Sequence, residues 1–382
     1  MKILIFSAST GGGHKRAAAA LEEKIKKINP DVTVEVVDGL AAIGKMYDKT
    51  VCKGYYLLAT KTPKMYGKLY KITDRKNWMF DAVMRSNASM ASRLMEEIEK
   101  HNPDVIIMCH AFITAMVSKL RKKGKLLDVK LISLITDYDA HRTYVVPNID
   151  AYVLAEPQMA PKLIKEFGVD ESIIYPLGIP TFDKFSDPSV KGEICAREGI
   201  SPDKTTVLLM AGSFGVVGVL SFYEQLATSA RDLQLIVITG KNEKLYEKLE
   251  ESMKNLGAED RTKLLYFVDN VEDYMHVSDL IVTKPGGLTV TESLACHLPM
   301  AIYSAYPGQE RKNVEFLVGQ KAAVMIDDEN GADQIIELLN SPDKLREMKE
   351  NCIRLAKPDA ARDMYNLAME LSGHAPAEDT EE

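Results

Sequence analysis

The chain reads as α/β: two doubly wound, Rossmann-like domains facing each other across a cleft. Three observations lead there. Short apolar runs alternate with helical patterns along the whole sequence, and the alternation restarts once after a Pro/Gly-rich join. At 382 residues the chain is also long for one hydrophobic core. Before the join, apolar runs at 2–8, 32–37, 104–109, 130–135, 151–154 and 173–177 read as strands. Helical patterns lie near 14–29, 85–101, 112–124 and 157–167. Gly178-Ile179-Pro180 and Asp187-Pro188 mark the join. After it, strands are expected near 205–211, 234–239, 263–268, 280–283, 299–303 and 322–326. The domains are therefore set at 1–180 and 181–358, followed by a helix at 359–372 that could pack on either one. Residues 373–382 read as a disordered acidic tail.

Apolar content of 46% and charged content of 27% are those of a globular protein. No run of about 18 apolar residues is present, and the apolar start at Ile3–Phe6 is too short for a signal-peptide core. The five cysteines show no CxxC spacing, which fits reduced thiols in the cytoplasm; Cys109-His110 and Cys296-His297 read as structural pairs. The net charge of −7 conceals an asymmetry. Residues 44–85 hold ten Lys or Arg against three Asp, or +7, so the remainder carries −14. Tyr47, Tyr55, Tyr56, Tyr66, Tyr70, Trp78 and Phe80 lie within that stretch. Aromatics among lysines suit a surface lying on an anionic membrane, and equally a solvated basic face with aromatic core anchors. Nucleic acid fits poorly, because the chain as a whole is acidic.

The most informative segment is Asp279–Glu310. An apolar strand ends in Lys284-Pro285-Gly286-Gly287, and a helical pattern begins at Thr289. A second strand after Pro299 runs into Pro307-Gly308-Gln309-Glu310. Paired glycines let backbone approach a ligand, and the N–H groups opening a helix favour an anion. Glu292 and Glu310 can accept from hydroxyls. Amide donors for phosphate beside carboxylates for hydroxyls suit a sugar nucleotide. Thr289-x-x-Glu292 is also a capping box, in which Glu292 merely bonds back to the backbone of Thr289. Gln309 and Glu310 carry no comparable structural explanation.

The first strand-to-helix turn, Ser9-Thr10-Gly11-Gly12-Gly13-His14, permits close approach of a ligand. Arg16 occupies the position where a dinucleotide fingerprint needs glycine, so Asp38 only mimics that motif's ribose acid; no P-loop occurs either. His14, at a helix start behind three glycines, can serve as a general base on a hydroxyl, against the plainer role of a helix cap. Asp137 and His141 end another strand and can point into one cleft, although Asp and His are also ordinary loop residues. Gly212-Ser213-Phe214-Gly215, after the second domain's first strand, reads as a phosphate loop or a plain tight turn.

SASTGGGHKRAAAAL (7–21), LITDYDAHRTYVVPNIDAYVLAEP (134–157), YPLGIP (175–180), and VTKPGGLTVTES with YPGQERKN (282–293, 306–313) occur in one order along the chain. In these pieces the chain resembles the monogalactosyldiacylglycerol synthase and processive diacylglycerol glucosyltransferase family, related to MurG within glycosyltransferase family 28 of the GT-B enzymes. The loop AGSFGVVG (211–218) resembles the bacterial glucosyltransferase branch more than the plant form. The resemblance implies inverting transfer of glucose or galactose from UDP-glucose or UDP-galactose to a diacylglycerol hydroxyl, without a bound metal or cofactor. It implies His14 as base, with Gly12, Gly13, Asp137 and His141 on the acceptor side. On the donor side it implies the Gly212–Gly215 amides and the Gly286-Gly287 turn at the pyrophosphate and Glu292 at the ribose hydroxyls, with Lys284, Pro285 and Thr289 also donor-binding. Gln309 and Glu310 would meet the transferred sugar, and Asn313 is a further donor-side residue. It also implies that residues 44–85 contact an anionic membrane and the acceptor lipid, placing the protein peripherally on the inner face of the cell membrane. Two rivals are a soluble enzyme like UDP-GlcNAc 2-epimerase on the same architecture, and a non-catalytic sensor of nucleotide sugars.

Overall fold

The computed structural model describes residues 1–9, 12–44, 54, 61–187, 191–211, 218–229, 232–327 and 329–375, excepting the side chains of 83 and 86–89. The chain forms two compact units. Unit one comprises Met1–Asp183, Tyr306–Lys312 and Lys357–Glu382; unit two comprises Lys184–Ala305 and Asn313–Ala356.

Unit one is built on β1 (Lys2–Ser7), β2 (Thr33–Asp38), β3 (Val105–Met108), β4 (Lys130–Leu134), β5 (Ala151–Val153) and β6 (Ile174–Tyr175). Its helices are α1 (Gly13–Ile28), α2 (Gly39–Ile43), α3 (Pro63–Thr73), α4 (Trp78–Ser89), α5 (Ala91–His101), α6 (Ala111–Lys122) and α7 (Ala160–Lys165). Unit two has β7 (Thr205–Met210), β8 (Leu233–Ile238), β9 (Thr262–Leu265), β10 (Leu280–Thr283), β11 (Met300–Ile302) and β12 (Ala323–Met325). Between these lie α8 (Lys191–Glu198), α9 (Val219–Ala227), α10 (Glu243–Leu256), α11 (Val271–Val277), α12 (Gly287–Ala295), α13 (Gln309–Gly319), α14 (Gly331–Leu339) and α15 (Pro342–Leu355). α16 (Ala360–Leu371) returns to unit one.

Each sheet is parallel throughout. The orders are β2-β1-β3-β4-β5-β6 and β12-β11-β10-β7-β8-β9. Parallel strands covered on both faces must be apolar on both, which is why Val105–Met108 and Leu280–Thr283 are buried at every residue. In unit one the order of strand addition reverses between β1 and β3, where Phe6 pairs with Met108. In unit two it reverses between β7 and β10, where Leu209 pairs with Val282. Loops leaving the carboxyl ends of such strand pairs are where doubly wound sheets place ligands.

Several expectations are refined. The helical pattern at 85–101 is two helices, α4 and α5, broken at Met90, and α3 was not foreseen. α16 joins unit one and packs on α1, where Asn29 Nδ2 donates to Tyr365 Oη at 3.0 Å. The acidic tail expected at 373–382 falls outside the described residues from 376 onward. Among the described residues no helix is long and apolar enough to cross a membrane.

Packing in unit two leaves one position with no room. A methyl on Gly331, the first residue of α14, would overlap the Phe222 ring in the buried core. Gly331→Ala is therefore expected to lower unfolding stability by about 1–3 kcal/mol, the range for overpacking. Denaturant unfolding checks this, and an unchanged midpoint would contradict the close packing.

Candidate active site

The first part of the site grows from the β1–β3 edge. Ile3, Leu4, Ile5 and Phe6 are buried, so β1 fixes where the chain leaves the sheet at Ser7; Thr10 and Gly11 of the expected glycine turn lie outside the described residues. Gly12 caps α1 with no side-chain hydrogen bond, no acid lies in the first turn, and a Cβ at Gly12 would meet nothing. Among the described residues no side chain caps the backbone N–H groups opening α1, as an anion-accepting helix start requires. His14 is the second residue of that helix. Its Nδ1 lies 3.0 Å from Thr136 Oγ1, and its ring also makes a hydrogen bond to the Cys109 backbone. Burial pushes its pKa down to about 4, only partly offset by the Cys109 bond. At neutral pH His14 is an uncharged imidazole, able to take a proton.

His110, from the β3 turn, stands edge-on to His14 with ring centroids 5.0 Å apart and planes at 87°. It caps α6, its Nδ1 accepting from Phe112 N–H at 3.3 Å. Burial, and then the neighbouring His14, hold its pKa well below the ordinary value. Cys109 is a buried thiol with a pKa pushed up to about 12, so it is no nucleophile. The pairing of the two histidines was not legible from the Cys109-His110 dipeptide, because it depends on β3 lying beside β1.

Asp38, the mimic of a ribose acid, is fully employed in the fold. It accepts from Ala41 N–H at 3.1 Å to cap α2, pairs with Lys15 at 3.0 Å, and accepts from Ser9 Oγ. These bonds outweigh burial and hold its pKa below the usual range.

Asp137 follows β4 and Thr136, and is partly exposed. Its charge, with those of Asp139 and Asp74, adds to burial in raising the pKa of Tyr70. His141, also expected on the acceptor side, makes its bonds within unit one. It is buried, with Nδ1 2.8 Å from Thr143 Oγ1, Nε2 3.0 Å from the Tyr70 carbonyl oxygen, and its ring 4.3 Å from the Tyr70 ring. Burial lowers its pKa. Nε2 thus fastens α3 through Tyr70, while Nδ1 holds the ring to its own turn through Thr143. A second fastening is Lys162, whose Nζ reaches Asp139 at 2.9 Å and Asp74 at 3.1 Å.

α3 divides the two readings of the basic stretch between its faces. Gly67 and Thr73 are buried and Tyr66 and Tyr70 partly so, while Lys64, Lys68 and Lys71 are exposed. Met65 is 54%, Ile72 43% and Trp78 75% exposed. The tyrosines are inward anchors; the tryptophan, with Met65 and Ile72, joins the lysines at the surface. Tyr47, Tyr55 and Tyr56 lie outside the described residues.

In unit two the strand β10 ends in Lys284-Pro285-Gly286-Gly287. Helix α12 starts at Gly287, two residues before the expected Thr289, and its cap, Gly286, makes no side-chain hydrogen bond. The capping box is therefore not formed: Thr289 lies inside the helix, and Glu292 is buried on its second turn. The hydroxyls of Thr291 and Ser293 are turned back on the Gly287 and Thr289 carbonyls, each at 2.8 Å. Lys284 is buried at the same turn. Asn313, fully buried, donates from Nδ2 to the Pro285 carbonyl at 2.9 Å and so fixes the turn's shape. The other loop at this reversal, carrying Gly212, Ser213, Phe214 and Gly215, lies outside the described residues.

Gln309 and Glu310 open α13 and group with unit one. Both have structural partners that the sequence did not show. Glu310 Oε2 accepts from Tyr306 N–H at 2.7 Å, and Gln309 Oε1 accepts from Tyr66 Oη at 2.6 Å.

Comparison with known proteins places this geometry in context. Residues 14–181 match the model for monogalactosyldiacylglycerol (MGDG) synthase, and residues 206–364 match the glycosyltransferase family 28 C-terminal domain. The processive diacylglycerol beta-glucosyltransferase of Bacillus pumilus is 31% identical over 358 residues, covering 92% of this chain and 90% of that one. The Bacillus subtilis protein of the same name is 30% identical over 361 residues, covering 92% and 90%. Among solved structures, Staphylococcus aureus MnaA with UDP superposes with a TM-score of 0.64 at 15% identity, covering 99% of each chain. Acinetobacter baumannii MurG gives 0.62 at 14%, covering 97% of this chain and 99% of its own. The fold is thus GT-B.

Proposed function

The chain belongs to the family of monogalactosyldiacylglycerol synthases and processive diacylglycerol glucosyltransferases, and from that premise we propose that it is an inverting glycosyltransferase moving a hexose from a UDP-sugar to the hydroxyl of diacylglycerol. The observation that carries the reading is the place of His14: on the first turn of α1, at the strand reversal of unit one, with its Nδ1 held 3.0 Å from Thr136 Oγ1. The acceptor oxygen forms a bond to the anomeric carbon as the bond from that carbon to UDP breaks, and the acceptor's proton passes to His14. An alcohol is too weak an acid to ionise beforehand, so proton transfer accompanies attack.

Negative charge grows on the departing UDP. The uncapped N–H groups of α12, with Lys284, stabilise it where it develops, without a metal ion. Glu292, buried on α12, accepts from ribose hydroxyls, and Gln309 and Glu310 meet the hexose. Asp137 orients the acceptor. The exposed Lys64, Met65, Lys68, Lys71, Ile72 and Trp78 rest on an anionic lipid surface, with the protein peripheral on the inner face of the membrane.

Incubation with radiolabelled UDP-glucose, UDP-galactose or UDP-GlcNAc over vesicles containing diacylglycerol, followed by lipid extraction, tests the reading. Label is expected in the lipid phase from UDP-glucose or UDP-galactose. Isomerised UDP-GlcNAc with no labelled lipid would instead favour an epimerase. Replacing Lys61, Lys64, Lys68 and Lys71 by alanine is expected to weaken co-sedimentation with anionic vesicles on the order of tenfold or more; unaltered sedimentation would remove α3 from the membrane contact.

A further inference from the structure

Three contacts join α3 to the turn that opens α13, all within unit one. Gly67 lies so close to Pro307 that a methyl there would sit 2.6 Å from the Pro307 Cβ. Gly308 has φ +115°, and a side chain at that position would meet the rings of Tyr66 and Tyr70 at 3.1 and 3.2 Å. The third contact is the 2.6 Å hydrogen bond from Tyr66 Oη to Gln309 Oε1. The first two set the distance between helix and turn, and the third fixes an orientation.

That orientation has a chemical meaning. A glutamine amide offers a donor on one side and an acceptor on the other, and rotation about its last torsion exchanges them. A hexose hydroxyl can donate or accept, so an amide free to rotate selects weakly among hydroxyl geometries. Holding Oε1 on a phenol fixes the side on which the Nε2 donors stand.

We propose that Tyr66 is a positioning residue for recognition of the donor sugar: by holding Oε1 of Gln309 it aims the amide nitrogen at a hydroxyl oxygen of the transferred hexose. This rests on the reading that Gln309 meets that hexose. It also makes one helix serve two ends, with lysines and apolar side chains on its outer face and a support for sugar recognition on its inner one.

Tyr66→Phe tests this, because it keeps the ring against Gly308 and removes only the hydroxyl. The expected result is an increase of about fivefold in KM for the UDP-hexose, in line with the net worth of one hydrogen bond. The value of kcat should change less than about twofold, and inhibition by UDP, which has no hexose, should stay as in wild type. In a Gln309→Ala background the same change should add nothing further to KM. An unaltered KM, a parallel loss of UDP inhibition, or an additive double variant would each overturn the assignment. If wild type labels lipid and Tyr66→Phe matches it in KM, only this inference fails. If wild type labels no lipid from any UDP-hexose, the proposed function itself falls.

Discussion

His14→Ala is expected to reduce transfer by about 10²–10⁴-fold, the usual contribution of a general base, while leaving UDP-sugar affinity near that of wild type. The partition follows from the structure. His14 belongs to unit one, bonded to Thr136 and Cys109, whereas the uncapped start of α12, Lys284 and Asn313 belong to unit two. Single-turnover rates measured beside equilibrium UDP binding separate the two effects. A variant that transfers at the wild-type rate would remove His14 from the chemistry.

The same residue fixes an expected pH dependence. A base must be unprotonated, and burial holds the His14 pKa down to about 4. The acid limb of kcat/KM should therefore fall near pH 4 instead of near the ordinary histidine value of about 6.5. Linkage carries the same sign. The folded pKa lies below the unfolded one, so the stabilisation is complete above about pH 6.5 and is lost as pH falls from there toward 4. An acid limb centred near 6.5 would show that the imidazole is solvated in the working enzyme.

Tyr365→Ala is expected to cost about 3–5 kcal/mol of unit-one stability, as for truncation of a large buried aromatic. The residue is fully buried on α16, and its hydroxyl accepts from Asn29 just beyond the end of α1. Denaturant titration followed by a signal from unit one gives the value. A cost below about 1 kcal/mol would mean that α16 is not held on α1 as described.

Much of the fold was legible because parallel strands buried on both faces read as plain apolar runs, and each of the twelve expected strands is present within a few residues. What escaped notice depended on contacts distant in sequence. α3 was missed because its inward positions are Tyr66, Gly67, Tyr70 and Thr73, while Met65 and Ile72 face outward, inverting the usual pattern. The early start of α12 escaped because glycine is a poor helix former, and nothing local favours Gly287 over Thr289. His110 became a neighbour of His14 only through strand order. The tie between Tyr66 and Gln309 spans 243 residues and leaves no local trace.

The return of α16 to unit one has a bearing on biosynthesis. Residues up to Asp183 leave the ribosome early, yet the surface of α1 that α16 covers waits for residues 360–371. At about 5–20 residues per second, that surface stays open for roughly 10–35 s after the first segment emerges. Unit two, with Lys184–Ala305 made in one stretch, is nearly whole before then. A nascent chain interrupted ahead of Ala360 would leave that surface of its oldest helix uncovered and open to chaperones and proteases.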